Sequence, residues 1–342
     1  MPRDDTRGGS ATLALKVLTL AILILAQAGG WASGRPAECA SLDGGRGANV
    51  WERAKAPELR RYCDLLAAGA AKLALGSARP AAPGPGPTPL RAPADAIARE
   101  VLEVAEQAER AMPGRPGSDL LRGRALALSG GWADARKAFD AAKAKDERAL
   151  DDPQSLLAFG RVLARTGNPR EAQEAYRALL PRAAVLASAD RGAAEVEAGL
   201  LAMTRGPEGL DEAIAILRQA RRDAQDALQS FAVMALALAL DRAGDADEAR
   251  AVLTERIHAD PRPVLGDARV KEALAVAGAG GATGDGRAAA ALALAAVDAR
   301  AAVSEWKAIA DGASGGVWAA HARAHAHEAG GAVKPAPRGG AR

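Results

Sequence analysis

Between Leu156 and Pro181 the apolar positions keep the spacing of two consecutive helices. Leu156, Phe159, Gly160 and Leu163 follow the i, i+3, i+4, i+7 rule of one helical face, and Ala172, Ala175, Tyr176 and Leu179 repeat it. Between the two runs, Gly167 suits a left-handed stop, Asn168 an N-cap and Pro169 a first helical turn, while Glu171 stands where it would close a capping box with Asn168. The pattern predicts two antiparallel helices joined by a tight turn.

The same unit recurs along the chain. Asp119 to Ala142 carries Gly123 in the place of Gly160, then Gly130, Trp132, Ala135 and Phe139 as turn glycine, staple and inward face of a second helix. Val233 to Pro261 places Leu236, Ala237 and Leu240 on a first helix, Gly244 as stop, Asp245 and Glu248 as a second capping box, and Ala249 and Leu253 inward. Glu195 to Ala220 has a longer turn, after which Ala213, Ile214 and Leu217 return in phase. The alanines that open the second helices, Ala135, Ala172, Ala213 and Ala249, recur at intervals of 36 to 41 residues, the range of helix-pair repeats.

These residues resemble the tetratricopeptide repeat. The first copy supplies Gly123, Trp132, Ala135 and Phe139, the second Gly160, Ala172 and Tyr176, and the fourth Ala237, Ala249 and Pro261. The match covers about Asp119 to Pro261. It departs from the family in its longer spacing, and in Leu217 and Leu253 where an aromatic is usual. The resemblance implies an all-α fold, a right-handed α-solenoid of antiparallel helix pairs with an N-terminal cap helix and a C-terminal capping helix. It also implies a concave wall lined by the first helices, which places Leu120 and Arg124, Leu157 and Arg161, and Met234 with Leu238 in a groove for a peptide. Arginines beside apolar neighbours suit a carboxylate on an extended segment; the alternative is that they solvate an exposed face. The lysine and asparagine pattern with which family members grip C-terminal carboxylates is absent.

The flanks read differently. Arg3, Arg7 and Lys16 precede an apolar run from Val17 to Ala28 and small-residue cleavage patterns, so residues 1–32 read as a secretory signal. A retained inner-membrane anchor is the alternative, although the run is shorter than the ~20 residues a spanning helix needs. Residues 33–76 form a cap that holds Cys39 and Cys63, the only cysteines, which export would pair as a disulfide rather than leave as thiols. Its helix presents Leu59, Tyr62, Leu66, Ala70 and Leu73 on one face, and the bridge would tie the strap from Ala40 to Ala48 onto it. Residues 77–93 are too rich in proline and glycine to be helical and read as a spacer. Residues 94–328 hold the array. It becomes degenerate after Pro261, with a pair from Ala288 to Ile309 that has Trp306 in the aromatic place and a last helix from Val317 to Glu328. A disordered basic tail, 329–342, follows.

Composition narrows the function. Aromatic residues make up 3% of a chain that is 49% hydrophobic, so the core must be built from alanine, leucine and valine. The net charge of +3 falls to near +2 without the signal, too balanced for a nucleic-acid footprint. Abundant alanine, glycine and arginine point to a GC-rich bacterial genome, and with the signal to the periplasm, leaving no membrane contact after cleavage.

Candidate chemistry is sparse. Gly312 to Gly316 spells the letters of a nucleophile elbow around Ser314, but helical patterns flank it where a strand is required, and it reads as a loop. Gly284-Asp285-Gly286 also lacks a preceding strand and reads as a loop. His321, His325 and Glu328 share a helical face, with His327 nearby, yet no cysteine or second helix is seen to complete a metal site. The expectation is no metal, no cofactor and no enzyme. The leading function is an exported scaffold or assembly factor that binds an envelope protein or peptide. The alternatives are a structural or regulatory subunit that uses its convex face, and a metal-dependent or hydrolytic activity at the C-terminal histidines and serine.

Overall fold

The computed structural model describes Cys39 and residues 56–77, 94–278, 284–312 and 317–332. The predicted signal and strap, most of the predicted spacer, Ser314 with Gly315 and Gly316, and residues 333–342 lie outside the described residues. Among the described residues the regular structure is helical throughout, with fourteen α-helices, short 3-10 turns and no strand. No described helix is long and apolar enough to cross a membrane. Met1–Ser155 and Leu156–Arg342 form two compact units.

The first unit contains α1 (Ala56–Ser77), α2 (Ala94–Ala111), α3 (Pro116–Leu128) and α4 (Trp132–Lys145), followed by a 3-10 turn, Glu147–Asp151. Each helix packs on its neighbour in sequence, and α1 also reaches α3. Leu59, Tyr62, Leu66 and Leu73 of α1 are buried as their periodicity predicts, against Val101, Ala105 and Leu121. Cys39 and Cys63 are joined as a disulfide with a Cα separation of 5.9 Å. Charge ties the unit together as well. Lys145 lies 2.7 Å from the buried carboxylate of Asp119 and also pairs with Glu109, whose carboxylate accepts from the Ser118 hydroxyl.

In the second unit, α5 (Pro153–Arg165, its first turn still in the first unit), α6 (Pro169–Leu179), α7 (Ser188–Met203), α8 (Pro207–Asp223), α9 (Asp226–Ala243) and α10 (Ala246–Arg256) run in helix pairs. After them come α11 (Ala268–Gly278), α12 (Asp285–Ala295), α13 (Ala299–Gly312) and α14 (Val317–Ala332). Sequence neighbours pack together from α6 to α10 and again from α12 to α14. Some contacts leave that order: α7 touches α9, α11 lies on both of them, and α12 lies on α9.

The repeated small residue marks where paired helices cross. A Cβ at Gly123 would meet the Phe139 ring at 3.0 Å, one at Gly160 the Tyr176 ring at 3.1 Å, and one at Gly199 Leu217 at 2.6 Å. Ala237 and Leu253, and Ala290 and Trp306, hold the corresponding places and are all buried. Close approach of the backbones is what the missing side chain permits, and it lets one large residue from the second helix fill the gap.

Gly130, Gly167 and Gly244 end their helices at φ +80°, +80° and +93°, a region closed to most side chains. In each case the glycine N–H donates to the carbonyl three residues back and the next N–H to the carbonyl five back from it, as from Asn168 to Leu163, which is the Schellman motif. Gly206 is also left-handed, at φ +71°, but Pro207 follows it and has no N–H to complete the motif. The predicted capping boxes do not form. The side chains of Asn168 and Asp245 accept no capping hydrogen bond. The Asn168 amide instead donates to the Thr166 carbonyl at 3.1 Å, because the Schellman turn brings that carbonyl within its reach.

Two further expectations change. Asp285 begins α12, with its side chain only 2% exposed beside Arg242 at 3.5 Å, and is therefore no part of a loop. The last helix continues to Ala332, so the predicted tail starts too early.

Candidate functional site

The residues assigned to a groove have three different fates. Leu120 and Arg124, one turn apart on α3, line a cavity of about 80 Å³ in the first unit. Leu66, Ala70, Gly117 and Leu121 give it an apolar floor, and Asp146, Arg148, Asp151 and Asp152 surround its mouth. Sequence dictates this arrangement locally. Pro116 starts α3 and so sets the direction of Leu120, while Asp152 caps α5 by accepting from both the N–H and the hydroxyl of Ser155, at 2.9 and 2.8 Å. The Arg124 guanidinium stands 3.9 Å from the same Asp152 carboxylate.

Arg161 is held by an internal ion pair. Its guanidinium makes three N···O contacts of 2.8 to 3.1 Å with Glu197, which is 1% exposed, and the Tyr176 hydroxyl donates to the same carboxylate at 2.6 Å. Burial alone would favour the neutral guanidine, but the Glu197 charge outweighs it and holds Arg161 more firmly protonated than usual. Burial and then the Glu197 charge push the Tyr176 phenol well above its ordinary value. Arg161 is thus an internal tie between α5 and α7.

Leu157, Met234 and Leu238 are buried, at 3%, 0% and 1% exposure. They line no open wall; Met234 and Leu238 belong to the main core of the second unit, where α11 lies across α7 and α9. Arg165 reaches Glu272 of α11 at 2.7 Å, across 107 residues of sequence. In this unit the chain itself covers the first helices that the resemblance offers to a ligand. Nothing local in the sequence of α11 announces that destination.

The histidines of α14 do find a second helix. The Nε2 atoms of His321 and His325 lie 3.2 and 3.0 Å from a single oxygen, Oδ2 of Asp241 on α9. Trp306 stacks on His325 with centroids 4.7 Å apart and meets His321 edge-on at 5.9 Å. Burial opposes ionisation of Asp241, but hydrogen bonds from the two histidines hold its carboxyl far below the usual carboxylate range. Burial also opposes charge on His325, and the Asp241 carboxylate prevails and raises it. Sequence reading missed Asp241 because it lies 80 residues from His321 and looks like one more polar residue before a turn glycine.

One further acidic pair joins a buried Glu195 to a half-buried Asp223. Glu195 is pushed up to about 8, first by desolvation and then by the Asp223 carboxylate beside it, with Arg191 3.3 Å from Asp223. It sits among packed helices of the second unit.

Comparison with protein-family models, with curated proteins and with solved structures returns no match to this chain. The functional reading rests on the geometry.

Proposed function

We propose that the chain is an exported, non-catalytic protein of tetratricopeptide-like helix pairs that holds a segment of another envelope protein, with the cavity at Leu120 and Arg124 as its seat. Support for the repeat comes from the recurring small residue set against a large one, and from the left-handed turn glycines. The Cys39–Cys63 bridge favours an oxidising compartment.

The observation that carries the binding role is the size and lining of the cavity. At about 80 Å³ it is far below the ~300–1,000 Å³ typical of small-molecule pockets, but it fits one apolar anchor side chain. A mouth bearing Arg124 and Arg148 together with three aspartates offers charge pairing to residues on either side of that anchor. Buried anchors with charged rims are the usual form of a peptide hot spot.

The test is selection of binding peptides from a displayed random library against the oxidised chain. Selected peptides should share an apolar anchor next to a charged residue. Ala70→Phe, which fills the cavity, and the pair Arg124→Glu with Arg148→Glu should each weaken them at least about tenfold, the equivalent of ~1.4 kcal/mol, with circular dichroism showing that each variant is folded. Peptides that bind both variants as tightly as the native chain would refute the assignment.

A further inference from the structure

We infer that Asp241, His321 and His325 form a binding site for a divalent transition-metal ion of the zinc class, which pins α14 to α9. The inference goes beyond peptide binding and is independent of it.

Three features of the arrangement point to a metal. The donor atoms of the three side chains all lie within 4.8 Å of one another. The two Nε2 to Oδ2 separations, 3.2 and 3.0 Å, are close to the edge of a tetrahedron built on bonds of ~2.0–2.1 Å, which is about 3.3 Å. The third separation lies within 4.8 Å, so side-chain shifts would bring all three atoms to bonding distance of one ion.

Ring orientation agrees. His321 and His325 are one turn apart on α14, with ring planes at 74° and centroids at 4.6 Å, an edge-to-face arrangement that lets both rings approach Asp241 without colliding. Trp306, 1% exposed, walls off one side and fixes the rings by stacking on one and meeting the other edge-on. Behind His325, Nδ1 faces the Glu328 carboxylate at 3.5 Å, the outer carboxylate that commonly turns a ligating imidazole toward its metal.

The donor set selects the ion. Two imidazoles and one carboxylate suit zinc and its late first-row neighbours, whereas magnesium and calcium prefer all-oxygen shells. Three protein ligands leave the fourth position of a tetrahedron to water. The site joins the last helix to one 80 residues earlier, so the ion would act as a clamp on the C-terminal end of the array.

The experiment uses the untagged full chain, stripped with chelator and titrated with zinc alone by calorimetry, then with cobalt alone by visible absorption. One zinc per chain should bind, and cobalt should show the intense visible bands of a tetrahedral site. Zinc should also raise the melting temperature, since it binds the folded state. His321→Gln and Asp241→Asn should each weaken zinc about 100-fold or more, and Glu328→Gln about tenfold. His327→Gln, an exposed neighbour on the same helix, should leave binding unchanged. Circular dichroism of each variant separates lost ligation from lost folding, and Glu328→Gln serves if the inner variants unfold. Absence of stoichiometric zinc binding would overturn the assignment. So would a His327→Gln defect as large as that of His321→Gln, because it would mean chelation by surface histidines.

Discussion

Glu197 is the residue whose loss the second unit should tolerate least. Its carboxylate is 1% exposed and receives three guanidinium contacts of 2.8 to 3.1 Å from Arg161 and a phenol hydrogen bond of 2.6 Å from Tyr176. Glu197→Ala would leave the Arg161 charge facing the Tyr176 hydroxyl with no acceptor between them. Breaking a buried pair in this way costs about 3–5 kcal/mol. Arg161 keeps 26% of its side-chain exposure, so some rehydration should place the loss toward the lower end of that range. Tyr176→Phe removes a single hydrogen bond to a charged group and should cost about 1.5–3 kcal/mol. The double change Arg161→Met with Glu197→Leu removes both charges together and should recover most of the stability, because the desolvation of each ion is removed with its attraction. Urea unfolding followed by far-ultraviolet circular dichroism measures all four proteins. A Glu197→Ala protein within about 1 kcal/mol of the native chain, or a double variant as unstable as the single one, would refute the reasoning. The result also bears on function, since Arg161→Glu should then fail by unfolding and not by losing a ligand.

Gly160→Val should destabilise by about 1–3 kcal/mol, because Cβ would already stand 3.1 Å from a Tyr176 ring tethered through its hydroxyl; thermal unfolding checks it. Stability should fall as pH rises from 5 to 8. In that window the folded state keeps protons that the unfolded chain has released, on Glu195, held at about 8, and on Asp285, held at about 6. Glu195→Gln should flatten the slope by on the order of 1–2 kcal/mol across the window, discounted for partial solvent screening, and an unchanged slope in pH-dependent urea unfolding would show that Glu195 ionises normally. Reduction should add the mass of two hydrogens to the native chain. Cys39→Ser with Cys63→Ser should lose about 3 kcal/mol in urea unfolding, from a loop closed across 24 residues.

Much of the helical architecture was legible in sequence because helix period, turn glycines and crossing glycines are local signals. Gly160 and Tyr176 stand sixteen residues apart, as do Gly123 and Phe139, and that offset alone sets one helix back on the other. The cysteine pair was legible too, since the chain has only two cysteines and each has one possible partner. The candidate cavity was legible only in part. Leu120 and Arg124 followed from their place beside Gly123, whereas the aspartates at its mouth come from a 3-10 turn with no repeat pattern.

Sequence by itself determined that this chain forms helix pairs, where each pair turns and which small residue lets its two helices touch, because those choices depend on neighbours within about one repeat. Tertiary structure decided what the charged residues do. Arg161 is consumed by Glu197, 36 residues on, α11 lies across α7 and α9 on a stretch proposed as open wall, and Asp241 meets two histidines from the far end of the chain. The reason is physical. Alanine-rich faces specify that a helix must be covered but say little about which helix covers it, so partners distant in sequence are settled only when the whole core packs.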